Sequence, residues 1–239
     1  MRLDKLISSQ INEISRADVK KLCLKGKITV NGKIVKRSDI QVDDVNDEIM
    51  VDGTAVVYKK YIYIMLNKPQ DVVCSTKDGD SKTVIELVPP HLMRKGLFPA
   101  GRLDKDTEGF VLLTDDGELS HRMLSPKSHV PKTYFVRLEK EWQENYKQIM
   151  ADGMEIDGGE KCLPAEFVGS KENAFECTLT LHEGKFHQVK RMFGKLGNKV
   201  VYLKRVSIGQ MPLNPNLQLG ECLEILHKDV ERLLTSKTL

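Results

Sequence analysis

The chain has 239 residues, of which 40% are hydrophobic and 30% are charged, and its formal net charge is +3. These values are typical of a soluble protein with one medium domain, or with a small domain attached to a larger one. No apolar run is long enough to cross a bilayer, and the charged start Met1-Arg2-Leu3-Asp4-Lys5 does not fit a signal peptide. We therefore expect a cytoplasmic protein that does not bind membranes.

The cysteines are widely spaced and include no Cys-x-x-Cys pair; they are Cys23, Cys74, Cys162, Cys177 and Cys222. This pattern favours reduced thiols over a disulfide framework or a zinc site. Cys177, His182 and His187 follow one another at even intervals that match no known ligand spacing. The sequence therefore predicts no metal site.

Positive charge is concentrated in two segments. Residues 1–37 hold ten Lys or Arg against three Asp or Glu, and residues 185–205 hold seven basic residues and no acidic one. Such clusters are typical of proteins that bind the phosphate backbone of a nucleic acid. The alternative is a solvated basic face without a partner, and two clusters in one chain weaken that interpretation.

Two helices are predicted near the N-terminus. Apolar residues recur at helical spacing from Arg2 to Ile11. Ser15 is a suitable N-cap, with Asp18 three positions later as an imperfect capping box, and the helix that it opens runs through Leu24. Gly26 supplies the left-handed residue that ends this helix.

A hairpin is predicted to follow. Lys27–Val30 and Lys33–Val35 are joined by Asn31-Gly32, a dipeptide that favours the type I′ turn because both residues tolerate positive φ. Glu48–Val51 is expected to close a unit of roughly fifty to sixty residues, which is large enough to fold alone.

This segment resembles the S4 RNA-binding module of ribosomal protein S4 and several RNA-modifying enzymes. The resemblance lies in Arg2–Leu6, Ser15-Arg16 and Gly26–Gly32. In that family the second helix and the hairpin present cations to RNA. The resemblance therefore implies RNA contacts by Arg2, Lys5, Arg16, Lys20, Lys21, Lys27 and Lys33. We predict an S4-like domain over 1–58 and a second domain over 61–239.

The second domain is predicted to be α+β, with a central, largely antiparallel mixed sheet, because its strands outnumber its helices and do not alternate with them regularly. The predicted strands are Tyr61–Leu66, Phe110–Leu113, Thr133–Leu138, Cys162–Phe167, Phe175–Leu181 and Val200–Leu203. The predicted helices are Gly117–Leu124, Trp142–Met150 and His187–Leu196.

The run Phe98–Gly109 places three carboxylates, an arginine and two glycines in one loop between apolar segments. Charged loops on a strand scaffold are where catalytic groups concentrate. Asp104-x-Asp106-x-Glu108-Gly109 also matches the opening of an EF-hand calcium loop. However, the twelfth position of that loop is Asp115 instead of Glu, and Phe110–Leu113 is strand-like. A solvated acidic turn is the remaining alternative.

Four motifs resemble the RsuA-type ribosomal RNA pseudouridine synthases, in the order of that family. They are Met65–Pro69, Gly101–Asp104 with Thr107–Gly109 after it, Lys132–Val136, and Glu183–Phe193. The resemblance implies the pseudouridine synthase fold, Asp104 as the catalytic carboxylate, and a reaction without cofactor or metal, since the isomerisation is neither a net oxidation nor a hydrolysis.

The same resemblance implies roles for other side chains. Tyr134 would stack on the target base and help to remove its C5 proton. Arg102 would hold a flanking phosphate or fill the space that the flipped base leaves. A cation from the basic helix would pair with Asp104. A helical wheel puts Lys190 at the edge of the buried face, and puts Arg191 and Lys195 on the opposite side, where they would bind RNA. Arg191 remains the alternative partner of Asp104.

The function implied by this resemblance is isomerisation of uridine 516 of 16S rRNA in the small subunit, after the base has flipped out of its helix. We expect a monomer with ribosomal RNA as its partner. Two alternatives stay open. They are a synthase of the same family that acts on 23S rRNA, and a non-catalytic rRNA-binding assembly factor.

Overall fold

The computed structural model describes residues 1–235, which form two compact units. The N-terminal unit contains Met1–Ile62 and Pro89–Leu97, and the C-terminal unit contains the rest of the chain. The predicted domains, 1–58 and 61–239, place residues 89–97 in the second domain, whereas in the structure these residues group with the N-terminal unit. Those boundaries remain a prediction.

The N-terminal unit has two helices and a four-stranded sheet in the order β2-β1-β3-β4. The elements are α1 (Leu3–Gln10), α2 (Arg16–Leu24), β1 (Ile28–Val30), β2 (Lys33–Ile34), β3 (Ile49–Val51) and β4 (Thr54–Ala55). Ser15 and Asp18 form the reciprocal capping box of α2, and Gly26, with φ of 73°, ends this helix. Asn31 and Gly32 both have positive φ in the turn of the β1–β2 hairpin, as predicted.

The core of this unit consists of apolar side chains from both helices and the sheet. The fully buried members are Leu3, Leu6, Ile7, Val19, Cys23 and Ile28. The helical spacing read from the sequence therefore identifies the buried face of α1 correctly, and the lysines and arginines between these positions face away from the core.

The C-terminal unit is α+β, as predicted, and is built on a nine-stranded sheet. Its main strand order is β11-β12-β8-β13-β7-β5-β15. Every pairing is antiparallel except that of β13 with β7. The nine strands of this sheet are β5 (Tyr63–Lys68), β6 (Phe98–Ala100), β7 (Glu108–Thr114), β8 (Lys132–Leu138), β11 (Glu166–Gly169), β12 (Glu176–Leu181), β13 (Val200–Ile208), β14 (Met211–Pro212) and β15 (Cys222–Glu224). Two short strands, β9 (Glu155–Ile156) and β10 (Glu160–Lys161), form a separate antiparallel pair.

Three α-helices complete this unit: α3 (Gly117–Leu124), α4 (Asn145–Ala151) and α5 (Gln188–Lys195). The bounds of α3 are those predicted. The helix predicted from Trp142 begins only at Asn145, because the Trp142 N–H donates to the carbonyl of Ala174 and continues an extended segment. None of the helices within residues 1–235 has the length and apolarity that a bilayer crossing requires.

The strand predicted over Cys162–Phe167 is wrong in its first half. The structure has β10 before this segment and β11 from Glu166 onward. Pro164 lies between them and has no N–H to donate to a neighbouring strand. The Ala165 N–H donates instead to the carbonyl of Met150 at the end of α4.

Candidate active site

Asp104 lies in the short loop that connects β6 to β7. Two glycines with left-handed backbone conformations flank the loop, Gly101 with φ of 95° and Gly109 with φ of 106°. A Cβ atom at Gly109 would lie 2.2 Å from the carbonyl oxygen of Arg205 on β13. Glycine at this position therefore allows β7 and β13 to pair closely at the end of the loop.

A buried lysine holds the backbone of this loop. Lys68, at the end of β5, is fully buried. Its ammonium donates to the carbonyl oxygens of Asp104 at 3.1 Å, Lys105 at 3.2 Å and Thr107 at 2.8 Å, and also to that of Pro69 at 2.9 Å. Burial lowers the pKa of Lys68, and nearby acidic groups oppose this effect. The side chain of Lys68 thus fixes the backbone position of Asp104.

The carboxylate of Asp104 lies between two side chains of the basic segment. The Lys190 ammonium is 3.3 Å from Oδ2, and His187 Nε2 is 3.4 Å from Oδ1. The carboxylate is 28% exposed, so a substrate can reach it from solvent. The structure therefore brings together Asp104 and Lys190, the pair that we expected, and adds His187 to it.

Lys190 also contacts a second carboxylate of the loop. Its ammonium donates to both carboxylate oxygens of Asp106, at 2.6 and 2.8 Å. Partial burial raises the pKa of Asp106, but the hydrogen bonds and charge of Lys190 outweigh burial, and the pKa lies below its ordinary value. This contact between Asp106 and Lys190 fixes the ammonium beside Asp104.

The EF-hand alternative does not fit this geometry. The loop joins two strands, whereas an EF-hand loop joins two helices. Glu108 accepts a hydrogen bond from the Tyr202 hydroxyl at 2.6 Å. Burial, and after it this carboxylate, raise the pKa of Tyr202. Within residues 1–235 no group of three His, Cys, Asp or Glu side chains is arranged to hold a metal ion.

Helix α5 is positioned by its apolar face and by polar contacts before its first turn. Val189, Met192 and Phe193 are buried. Gln188 donates to the Glu183 carboxylate at 2.7 Å and accepts from the backbone N–H of Lys185 at 2.9 Å. The segment before the helix is therefore tied to the helix itself.

Arg191 is occupied by protein groups. It donates to the Glu160 carboxylate at 2.8 Å and to the carbonyl oxygen of Asp157 at 2.7 Å. Lys195, on the same helix, is exposed and forms no ion pair with residues 1–235, and the same holds for Arg102 in the active-site loop. Of the three cations expected to bind RNA here, two are thus available for a phosphate.

Tyr134 is a buried residue of β8, only 8% exposed. It lies opposite Arg205 of β13, which in turn lies opposite Gly109 at the end of the active-site loop. With strands about 4.8 Å apart, Tyr134 is two strands, or about 10 Å, from that loop. Its hydroxyl forms no hydrogen bond with any group of residues 1–235, so it is available to a ligand.

Two further cations next to Tyr134 were not predicted. Arg205 is buried, donates through Nε to the carbonyl oxygen of Phe110 at 2.7 Å, and has a second nitrogen, Nη2, without a partner in the described chain. Burial and the charge of Arg205 lower the pKa of Lys132 to about 8. Lys132, like Lys68 and His187, lies inside one of the four motifs of the sequence. These motifs mark the residue as important but do not predict which groups it contacts in the folded chain.

All seven N-terminal cations expected to bind RNA are exposed. Three of them form ion pairs: Arg2 with Asp4, Lys21 with Asp18, and Lys27 with Asp52. Within residues 1–235 the other four have no such partner; these are Lys5, Arg16, Lys20 and Lys33. The unpaired set could bind phosphates without first breaking a contact.

Comparisons with known proteins agree with these motifs. The sequence pattern of the RNA pseudouridylate synthase family matches residues 62–195, and that of the S4 domain matches residues 1–49. A crystal structure of a pseudouridylate synthase superposes with a TM-score of 0.68 and 40% identity, over 98% of this chain and 99% of the other.

Full-length relatives are also similar. An uncharacterised RNA pseudouridine synthase of Bacillus subtilis is 45% identical over 98% of both chains. The ribosomal small subunit pseudouridine synthase A of Haemophilus influenzae is 40% identical over 98% of this chain and all of the relative, and that of Escherichia coli K12 is 39% identical over 96% and 98%. The chain therefore belongs to the RNA pseudouridylate synthase family, as an RsuA-type RNA pseudouridine synthase with an N-terminal S4 domain.

Proposed function

We propose that this enzyme converts a uridine of 16S rRNA to pseudouridine, with Asp104 as its catalytic carboxylate. The observation that carries the assignment of Asp104 is its position, between Lys190 and His187 in a loop that Lys68 holds in place. Small-subunit rRNA is supported as the substrate by relatives that are named for it and match along nearly the whole chain.

The reaction breaks the bond between the ribose C1′ and N1 of uracil and forms a bond from C1′ to C5. The C5 proton leaves and N1 gains a proton, so atoms and charge balance without a redox partner. In this proposal Asp104 acts either as the nucleophile or as the base that begins an elimination. Asp106 holds the Lys190 ammonium beside the Asp104 carboxylate, and this ammonium keeps the Asp104 carboxylate oriented toward the substrate.

Tyr134 is proposed to stack on the flipped uracil and to help to remove the C5 proton. A ring with a polar tip can perform both tasks, and the Tyr134 hydroxyl forms no hydrogen bond within residues 1–235. Flipping the nucleotide costs a few kcal/mol, and phosphate contacts supply part of that free energy. Arg102 and Lys195 are the proposed cations near the site, while Lys5, Arg16, Lys20 and Lys33 are proposed for the S4 domain.

Uridine 516 is the target that we propose within 16S rRNA. A 23S rRNA uridine remains a second candidate target. It is distinguished by mapping pseudouridines in both rRNAs from cells that lack the protein, with carbodiimide labelling and primer extension. One stop in 16S rRNA should disappear, and expression of the wild-type protein should restore it.

The catalytic role is tested by Asp104→Asn, which keeps the size of the side chain but removes its charge. We expect a loss of activity on the order of 10³-fold or more with rRNA binding retained. Asp80→Asn, at an exposed carboxylate without an ion pair in residues 1–235, is the matched control and should restore the stop fully. If Asp104→Asn also restores it, Asp104 is not the catalytic carboxylate.

A further inference from the structure

Phe186 is the most exposed Phe, Tyr or Trp side chain of residues 1–235, with 74% of the residue open to solvent. A lone exposed apolar residue is common on protein surfaces and by itself indicates nothing. Phe186 differs from such residues in its neighbour. Its ring is stacked on His187, with ring centroids 3.8 Å apart and the planes inclined by 17°.

The stack leads directly to the active site. His187 Nε2 is 3.4 Å from the Asp104 carboxylate, so Phe186 is the second ring outward from Asp104. His187 covers one face of the phenyl ring, and the exposure of Phe186 shows that the other face is open. An aromatic face is therefore presented to solvent one ring away from the carboxylate.

The backbone that carries this ring is held in place. The carbonyl oxygen of Phe186 accepts from the Arg191 guanidinium at 3.1 Å, and the same guanidinium binds Glu160 at 2.8 Å. On the other side, the Lys185 N–H donates to the Gln188 side chain at 2.9 Å. Arg191 thus holds the main chain at Phe186, whose exposed side chain contributes little to the core.

We propose that Phe186 is a stacking platform for the nucleobase next to the target uridine in the substrate RNA. A uridine that leaves its helix exposes one face of its neighbour, and an aromatic ring replaces the lost stacking partner. Such stacking accepts any base, because every base has a π face. The inference rests on the proposed role of Asp104, since that role places the target uridine beside His187.

The protein side of the test uses three substitutions at Phe186 with an RNA fragment that the wild-type enzyme modifies. Phe186→Ala should lower kcat/KM by about 10-fold. Phe186→Leu, which keeps an apolar side chain but has no π face, should lose as much, and Phe186→Trp should retain activity. The matched control is Phe175→Ala, at an exposed Phe at the opposite end of β12, where no loss is expected.

The RNA side of the test removes the base instead of the ring. An abasic nucleotide next to the target, placed 5′ in one RNA and 3′ in another, should lower the wild-type activity about 10-fold at one of the two positions. At that position Phe186→Ala should cause no further loss. Equal activity of Phe186→Ala and wild type on the intact RNA, or independent losses at both positions, would overturn the proposal.

A binding measurement separates this inference from the proposed function. In proteins that carry Asp104→Asn, the additional change Phe186→Ala should raise the Kd for the RNA about 10-fold. An unchanged Kd overturns the stacking role whatever the catalytic result. If Asp104→Asn itself remains active while Phe186→Ala weakens binding, the catalytic assignment fails and the stacking contact stands.

Discussion

The cations of the two units differ in how the fold uses them. In the C-terminal unit, Lys68 is fully buried and donates to four carbonyl oxygens, and Lys190 is bound by two carboxylates. In the N-terminal unit, all seven cations expected to bind RNA are exposed. The first group sets the geometry of one site, whereas the second group contributes charge to a surface.

This difference has a physical consequence for substitutions. A buried ammonium satisfies acceptors that are wholly or partly shielded from water, so its removal costs about 1–3 kcal/mol for each acceptor that has no other donor. Of the four acceptors of Lys68, the carbonyl oxygens of Asp104 and Lys105 keep a backbone N–H donor. An exposed ammonium interacts through a medium of high dielectric constant and is screened by salt. We therefore expect large effects from single changes in the C-terminal unit, and small, additive, salt-dependent effects in the N-terminal unit.

The largest effect outside Asp104 is expected for Lys68→Met, which removes the ammonium but keeps an unbranched apolar side chain. Four carbonyl oxygens lose a donor, three of them in the loop of Asp104. We expect the free energy of unfolding to fall by about 3 kcal/mol and kcat to fall on the order of 100-fold. Denaturant unfolding and single-turnover assays measure these changes.

Lys105→Met is the matched control for this substitution. Lys105 belongs to the same loop, but its ammonium is exposed, and its one hydrogen bond to a group of residues 1–235 is to the Ser81 hydroxyl, at 3.2 Å. Its loss should change the free energy of unfolding by less than about 0.5 kcal/mol. Equal effects of the two substitutions would show that burial of Lys68 has no special importance for the loop.

An intermediate effect is expected for Lys132→Met, and it should depend on pH. The pKa of Lys132 is lowered from 10.5 to about 8 by burial and by Arg205. Below pH 8 both the folded and the unfolded chain bind the proton, and the full cost of burying the charge is present. Between pH 8 and 10.5 the unfolded chain binds more protons, so the stability of the wild type rises with pH.

Lys132→Met removes this titration. Between pH 7 and pH 10.5 the difference in the free energy of unfolding between variant and wild type should therefore shift by about 3 kcal/mol in favour of the wild type. Lys127→Met, at an exposed lysine of the preceding segment, should follow the wild-type pH curve. A difference between Lys132→Met and wild type that stays constant over this range contradicts the lowered pKa.

Much of this contrast could be predicted from the sequence. The capping box of α2 and the Asn31-Gly32 turn follow from local spacing. The pairing of Lys190 with Asp104 was implied by the family resemblance, and the helical wheel added only that Lys190 lies at the edge of the buried face of its helix. The burial of Lys68 could not be predicted, because its four acceptors are main-chain carbonyls, three of them more than thirty positions away. The same limit applies to Arg205, whose place beside Tyr134 depends on strand pairing.

Charge alone also gave an incomplete account of the basic segments. Arg191 counts as one of the seven cations of 185–205, but Glu160 and a backbone carbonyl of the same unit occupy its guanidinium. Whether a lysine or arginine is available to RNA depends on acidic partners that are distant in the sequence. Of the seven N-terminal cations expected to bind RNA, Lys5, Arg16, Lys20 and Lys33 are the subset that forms no ion pair with residues 1–235.

The smallest effects are expected for single alanine substitutions in that subset. Lys20 on α2 and Lys33 on β2 are exposed and lie on different elements, so their contributions to rRNA affinity should add. Each substitution should weaken binding less than 10-fold and reduce the slope of log K against log salt by about 0.7–0.9. Lys171→Ala, at an exposed lysine of the C-terminal unit, should leave the slope unchanged. Binding titrations at several salt concentrations measure these slopes. If the variant that combines Lys20→Ala with Lys33→Ala has the same slope as the wild type, these two lysines do not belong to the RNA-binding surface.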